Sequence, residues 1–237
     1  MLAAGDGGRL GMHTVRTPKP LVALNGRAIV DYTLESLAEA GIHDVVVVTG
    51  YREEQVRNGL RGASSRGTRL SFVTNSRFQD GASLSLRAAR AACGDEPFLL
   101  VMSDHLLSAA LLRRLLRAGR ASGAGQSFVA ADGGARDQAY IDEATKLAID
   151  GEGCVTAIGK QLGTWTSLDT GAFYVAPEAW EAVDSVAEDC ELSVIFGELA
   201  RRRMLRAADV SGAFWYDVDT ADDLAAAAEL LMAASVG

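Results

Sequence analysis

Cysteine, proline, lysine and aromatic residues are all scarce in this chain of 237 residues, and the scarcities are informative. The three cysteines, Cys93, Cys154 and Cys190, are odd in number, far apart and without a C-x-x-C pair. That argues against a disulfide framework or a structural zinc site and predicts three small buried hydrophobes. No stretch approaches 18 uninterrupted apolar residues, and the N-terminus lacks a charged region followed by an apolar one. Neither a membrane span nor a signal peptide is expected, and the expected compartment is the cytoplasm. Positive charge is short as well: 23 basic residues against 31 acidic ones leave −8, a poor balance for nucleic acid or an anionic membrane. Three of the basic residues are lysine, Lys19, Lys146 and Lys160, so each lysine is a candidate for a particular task. Apolar residues, at 49%, are plentiful enough for a sizeable core.

Strand-length apolar runs alternate with helix-period stretches, which predicts an α/β fold: a mainly parallel, mixed central sheet flanked by helices. Val45–Val48 reads as a strand buried on both faces, followed by strands at Leu70–Thr74, Phe98–Met102 and Ser127–Ala131. Helices are expected over Asp31–Ala40, with Asp31 as N-cap, and over Arg52–Leu60, Ser83–Ala92 and Leu106–Ala118. Beyond residue 132 the rhythm changes. Ala144–Ile149, Val155–Ile158 and Leu168–Val175 read as strands without long helices between them, a small antiparallel section in the second half. Helices at Pro177–Val186 and Ser193–Arg203, a strand at Phe214–Val218 and a closing helix at Ala221–Ala234 complete one domain over residues 1–237. Met1–Ala3 supplies only the end of a strand, so either the first strand is short or the natural start lies upstream of Met1.

The densest chemical signal is Leu2-Ala3-Ala4-Gly5-Asp6-Gly7-Gly8-Arg9-Leu10, followed by Thr17-Pro18-Lys19-Pro20-Leu21. Three glycines after a strand end can turn backbone N–H groups toward phosphate oxygens, although neither a P-loop nor G-x-G-x-x-G is present. Residues 1–30 hold four basic groups against Asp6, a net of +3, while the remainder of the chain is strongly acidic. A local basic pocket of this kind suits a polyphosphate. Asp104 and Asp219 end apolar runs, where ligands gather in open α/β sheets, and could share one Mg²⁺; each could equally be a helix N-cap.

These residues together resemble the signature of the nucleotidyltransferases that join a nucleoside triphosphate to a phosphorylated small molecule, over essentially the whole chain. Gly26-Arg27-Ala28-Ile29-Val30-Asp31-Tyr32 continues the pattern. Ser103-Asp104-His105, Glu143-Ala144-Thr145-Lys146, Ile158-Gly159-Lys160, Asp169-Thr170-Gly171 and Trp215-Tyr216-Asp217-Val218-Asp219 resemble in particular the CTP:inositol-1-phosphate cytidylyltransferases. The family often has Asn-Gly-Tyr-Ser where this chain has Asp80-Gly81-Ala82-Ser83, which leaves base and acceptor preference open.

The resemblance implies a Rossmann-like nucleotidyltransferase fold, with a nucleotide-binding part to about residue 132 and an acceptor-binding part beyond it. It implies transfer of a cytidylyl group from CTP to inositol 1-phosphate, with Mg²⁺ as cofactor. Sibling readings are a phosphocholine, phosphonate or sugar-1-phosphate enzyme; a reading of another class is a silent nucleotide-binding regulator. Arg9 and Lys19 are expected on the triphosphate, Asp104 and Asp219 on the metal, and Lys146 on the acceptor phosphate. Leu2, Ala3, Ala4, Gly5, Gly7, Gly8, Gly81, Ser83 and Ser103 are expected around the nucleotide, with Asn75 a weaker candidate. Asp142, Glu143 and Trp215 are expected at the acceptor, while Lys160 and His105 are left open. A homodimer and hand-over of the product to a membrane CDP-alcohol transferase complete the expected partners.

Overall fold

A computed structural model describes residues 1–61, 67–134 and 138–235. The chain opens with β1 (Leu2–Ala3), a β2–β3 hairpin (Ala23–Leu24, Arg27–Ala28), α1 (Ile29–Glu39), β4 (Asp44–Thr49), α2 (Glu53–Leu60) and β5 (Arg69–Thr74). It continues through α3 (Ala82–Cys93), β6 (Phe98–Val101), β7 (His105–Leu107), α4 (Ala109–Ala121), β8 (Ser127–Asp132) and α5 (Gln138–Glu143). The last third comprises β9 (Lys146–Ile149), β10 (Val155–Gly159), β11 (Ser167–Val175), α6 (Ala179–Ser185), α7 (Leu192–Arg201), β12 (Leu205–Asp209), β13 (Trp215–Asp217) and α8 (Ala221–Ser235).

β1, β4 and β5 are parallel, and a bridge from Leu2 to Met102 brings β6 alongside β1. The antiparallel section is less peripheral than the sequence rhythm suggests. β11 lies between β6 and β8, antiparallel to both, while β8 pairs in parallel with β12. The edge of β11 opposite β8 is shared: Ala172–Val175 pair with β6, and Ser167–Leu168 pair with β9. The sheet therefore forks at Asp169–Gly171, where the register against β8 also shifts. Apolar clusters cover the sheet, one including Val30, Leu34 and Leu112, another including Leu86, Phe196 and Leu199.

Three local expectations need correction. Ala28, not Asp31, holds the N-cap of α1, because Ile29 and Val30 are fully buried and draw the helix start forward. The run after Asp104 is first a strand, β7, paired with β13; Ser108 then caps α4 by accepting from the Leu111 N–H at 3.3 Å. Of the cysteines, all free, Cys154 is buried while Cys93 and Cys190 are half-buried.

β13 is tied to the far end of β8 by the Trp215 indole, which donates to Asp132 Oδ2 at 2.8 Å with both residues about 2% exposed. Removing a donor from a buried acceptor costs about 1–3 kcal/mol. Trp215→Phe is accordingly expected to lower unfolding stability in urea by about that amount; an unchanged midpoint would show that this bond holds nothing in place.

Candidate active site

The strand ends and the fork define one cleft of about 1010 Å³. Its walls include the turn after β1, the residues after β6 and β13, the forked segment of β11 and the start of α7. Gly7 has a left-handed backbone, φ +66°, and a Cβ there would stand 2.6 Å from the Lys19 Cβ. Glycine thus allows both the turn and the passage of the lysine stem beneath it. Pro18 and Pro20 flank Lys19 and set it at the start of a 3-10 turn, leaving the residue 7% exposed.

Lys19 Nζ lies 2.6 Å from Asp104 Oδ2 and 2.6 Å from Asp219 Oδ1, and Arg9 closes on Asp219 Oδ2 at 2.7 Å. Neither aspartate is spent on a cap. Asp104 leads into β7, and α8 is started by a reciprocal pair in which the Thr220 N–H donates to Asp223 Oδ2 at 2.8 Å and the Asp223 N–H to Thr220 Oγ1 at 3.2 Å. Burial opposes charge on Lys19, but Asp104 and Asp219 outweigh it and hold the ammonium well above the usual lysine range. Burial likewise opposes ionisation of Asp104, and Lys19 and then His105 reverse that, keeping it well below the usual carboxylate range.

Behind this bridge sits a second cluster. His105 Nδ1 is 2.9 Å from Asp104 Oδ1 and 3.5 Å from Asp217 Oδ1. Its ring lies against Gly171, where a Cβ would come within 2.4 Å of Cδ2. Burial disfavours the imidazolium, yet Asp217 and Asp104 lift its pKa to about 9. Burial pushes Asp217 up to about 6 against the pull of His105, and pushes Asp169 up to about 6 against the Gly171 N–H that donates to it at 2.8 Å. Asp217 Oδ1 is buried without a hydrogen-bond partner.

The structure brings Leu2, Ala3, Ala4, Gly5, Gly7, Gly8, Arg9, Lys19, Gly81, Ser103, Asp104 and Asp219 to the cleft. It does not bring the others. The Asn75 amide donates to Ser85 Oγ at 3.0 Å behind the wall. Ser83 is fully buried, donating to the Glu188 carbonyl and accepting from the Cys190 N–H at 3.2 Å; it staples α3 to the loop before α7. Lys146 is turned to two carbonyls, Ala144 at 3.2 Å and Lys160 at 2.9 Å, and Asp142 and Glu143 are exposed on α5. Trp215 is core. The cleft is lined instead by Thr145, Lys160, Asp169 and Asp217. Asp217 was legible: it stands two residues before Asp219, the spacing that puts side chains on one face of an extended segment. Asp169 depends on the fork in β11, which no local pattern announces.

A divalent cation fits this donor set. Two carboxylates already converge on one positive centre, and both offer the oxygen atoms that a hard cation takes. Asp104, His105 and Asp217 also place potential ligand atoms within 4.8 Å of one another. Asp217 and Asp104 favour the protonated form of His105, so a cation bound through its ring would have to displace that proton. Because its folded-state pKa of about 9 exceeds the ordinary 6.5, its contribution to stability is full below pH 6.5 and is lost as pH rises through 9. The metal-free protein is expected to show a His105 NMR titration near 9. His105→Gln should flatten the loss of stability over that interval. A midpoint at or below the ordinary value would contradict this charge arrangement.

Comparison with known proteins agrees with the geometry. A relative from Rubrobacter xylanophilus named bifunctional IPC transferase and DIPP synthase is 32% identical over 98% of this chain and 51% of its own length. A CMP-5'-(3-aminopropyl)phosphonate synthase from Streptomyces rubellomurinus is 33% identical over 94% of this chain and 37% of its own length. The chain thus spans about half or less of these relatives. The solved inositol-1-phosphate CTP transferase from T. maritima superposes with a TM-score of 0.81 at 22% identity, covering 98% of this chain and 93% of that one, and bears out the Rossmann-like nucleotidyltransferase fold. Residues 1–212 match the MobA-like NTP transferase domain, and the chain belongs to that family.

Proposed function

We propose that this protein transfers a cytidylyl group from CTP to inositol 1-phosphate and releases pyrophosphate. The observation that carries the reading is the Lys19 ammonium suspended between Asp104 and Asp219, with Arg9 beside it at the mouth of a glycine turn. Two cations stand ready for a triphosphate, and two carboxylates stand ready for a metal. The choice of CTP and of inositol 1-phosphate draws on the names of the relatives.

No protein nucleophile is needed. An ionised oxygen of the acceptor phosphate forms a bond to the α-phosphorus, while the bond from that phosphorus to the bridging oxygen breaks and leaves with pyrophosphate. The protein's share is alignment and cover for negative charge. In this reading N–H groups of the Gly5–Gly8 turn, Arg9 and Lys19 receive the triphosphate. Leu2, Ala3, Ala4, Gly81 and Ser103 border the rest of the nucleotide. Asp104 and Asp219 would hold Mg²⁺, which when bound supplies charge neutralisation at the phosphates.

At the other end Lys160 and Thr145 take the acceptor phosphate, and Asp169 and Asp217 accept hydrogen bonds from the polyol hydroxyls. Lys146 moves from the role its motif implied to a positioning role, since its ammonium holds the Lys160 carbonyl. The nucleotide thus rests mainly on residues to about 132 and the acceptor on those beyond. A second reading has a specific ground: a buried carboxylate pair would also hold an ammonium, as an aminoalkyl phosphonate carries, and one relative is named for such a product.

Pyrophosphate release from each nucleoside triphosphate paired with inositol 1-phosphate, phosphocholine, an aminoalkyl phosphonate or a hexose 1-phosphate tests the reading. CTP with inositol 1-phosphate should give the highest kcat/KM. Greater turnover of another pair displaces the substrate assignment; nucleotide binding with no release from any pair favours the silent regulator. Lys19→Ala should lower kcat by roughly 10²–10³-fold, as loss of a transition-state charge contact does. Lys160→Ala should raise acceptor KM by about tenfold, worth about 1.4 kcal/mol, with an unchanged melting temperature. An acceptor KM unmoved by that change removes Lys160 from the site.

A further inference from the structure

Arginines on the surface of this chain are commonly paired, and α4 breaks the pattern. Arg27, Arg69, Arg77, Arg90, Arg201 and Arg203 each close on a carboxylate. On α4 the exposed positions are Ala110, Arg113, Arg114, Arg117, Arg120 and Ala121, which bring together four cations and no acid. Arg113 donates to the Glu39 carbonyl at 2.9 Å and Arg114 to the Ser211 carbonyl at 3.0 Å, contacts that fix direction without matching charge. Asp209, which Ser211 and then Arg114 hold below the usual carboxylate range, offsets Arg114 in part. Arg117 and Arg120 form no ion pair among the described residues.

The core holds this row outward. Leu111, Leu112, Leu115 and Leu116, none more than 7% exposed, take the opposite face of α4 into the interior. At Gly119 a Cβ would stand 2.4 Å from Tyr174 Cγ, so the helix lies directly on β11 and has no freedom to roll. Spacings of four and three set Arg113, Arg117 and Arg120 along one face over about 10 Å. Like charges at these spacings repel and weaken a helix. Within the chain the row therefore carries a cost, which a counter-charge brought from outside would relieve.

We propose that the arginine face of α4 is a docking surface for a short, carboxylate-rich segment of a partner protein. Guanidinium groups already set in direction suit bidentate pairing with carboxylates. A lipid surface fits poorly, because an interfacial helix needs apolar side chains to insert. Beside its arginines α4 exposes only alanine, and the large exposed hydrophobics, such as Met12, Val194 and Met232, lie on other segments. Nucleic acid fits poorly as well: a long polyanion would run past the row onto a chain of net charge −8, and α4 has no aromatic residue for a base to stack on. A short acidic segment matches the length of the row and avoids the rest of the surface. None of the four arginines lines the cleft, so a partner held here leaves the cleft open.

The test measures fluorescence anisotropy of a fluorescein-labelled Glu-Asp-Glu-Gly-Glu-Asp-Glu-Gly peptide, with its Gln-Asn-Gln-Gly-Gln-Asn-Gln-Gly counterpart as control. The full chain should bind the acidic peptide and not the neutral one. Arg117→Gln with Arg120→Gln should weaken binding about tenfold, which corresponds to about 1.4 kcal/mol. Glutamine is a good helix former and ends the repulsion along the row, so the melting temperature should stay level or rise. Arg69→Gln with Arg77→Gln, which removes two arginines that already have carboxylate partners, should leave binding unchanged. No binding by the wild-type chain, an equal loss in both double variants, or a lower melting temperature of the α4 variant overturns the proposal. So does tighter binding through the same arginines to vesicles of equimolar phosphatidylcholine and phosphatidylglycerol, or to duplex DNA. Self-association of the chain that the α4 variant abolishes overturns it too, since that gives the face to a second copy.

Discussion

One buried cation organises this molecule. Lys19 draws together Asp104 and Asp219, the latter 200 residues away, and the two prolines beside it leave its backbone little freedom to adjust. Several otherwise separate choices of residue serve that arrangement. Gly7 makes room for the lysine stem, the Thr220–Asp223 pair starts α8 without using Asp219, and β7 carries Asp104 past the end of β6 without ending on a cap. An ion pair this deep loses water on both sides, and its attraction offsets that loss only because each carboxylate has a further partner, Arg9 for one and His105 for the other.

The fork in β11 supplies the second half of the site. A strand that gives one edge first to β9 and then to β6 leaves a short stretch between the two ladders, and Asp169–Gly171 is that stretch. There a carboxylate and a glycine face the His105 ring, and the bulge against β8 turns them toward the cleft. This end of the cleft is thus formed where two sheet segments diverge. Its acidic groups are buried by the divergence, which is why Asp169 and Asp217 resist ionisation.

The glycine turn, the Thr17–Leu21 segment and the two strand-end aspartates were legible in the sequence because each is a local pattern with a local cause. The rest of the cleft was not. Asp142 and Glu143 stand beside the Lys146 motif in sequence, but α5 turns them to solvent, and Gly159 pairs with Lys146 in an antiparallel register that leaves Lys160 just past the strand end, where it lines the cleft. The point at which β10 stops decides which lysine lines the cleft, and composition cannot settle that. Ser83 and Asn75 misled for a related reason: a small polar residue near a glycine turn looks alike whether it meets a ligand or staples two segments. β12 carries no clear strand signal, because its run, Leu205–Asp209, is short and includes Arg206, yet it completes the far edge of the sheet.

In the ligand-free cleft, Lys19 and Arg9 are already matched by carboxylates. Lys19 cannot turn to a phosphate without giving up Asp104 and Asp219, which would then keep only His105 and Arg9 as partners. Entry of a bare triphosphate therefore exchanges one set of ion pairs for another and leaves the exchange incomplete. On the proposed assignment, a counter-cation arriving with the triphosphate would take the place between Asp104 and Asp219 that the ammonium leaves. On the proposed assignment nucleotide and cation would each raise the other's affinity by the same factor, a reciprocity set by three side chains rather than by any movement of the fold.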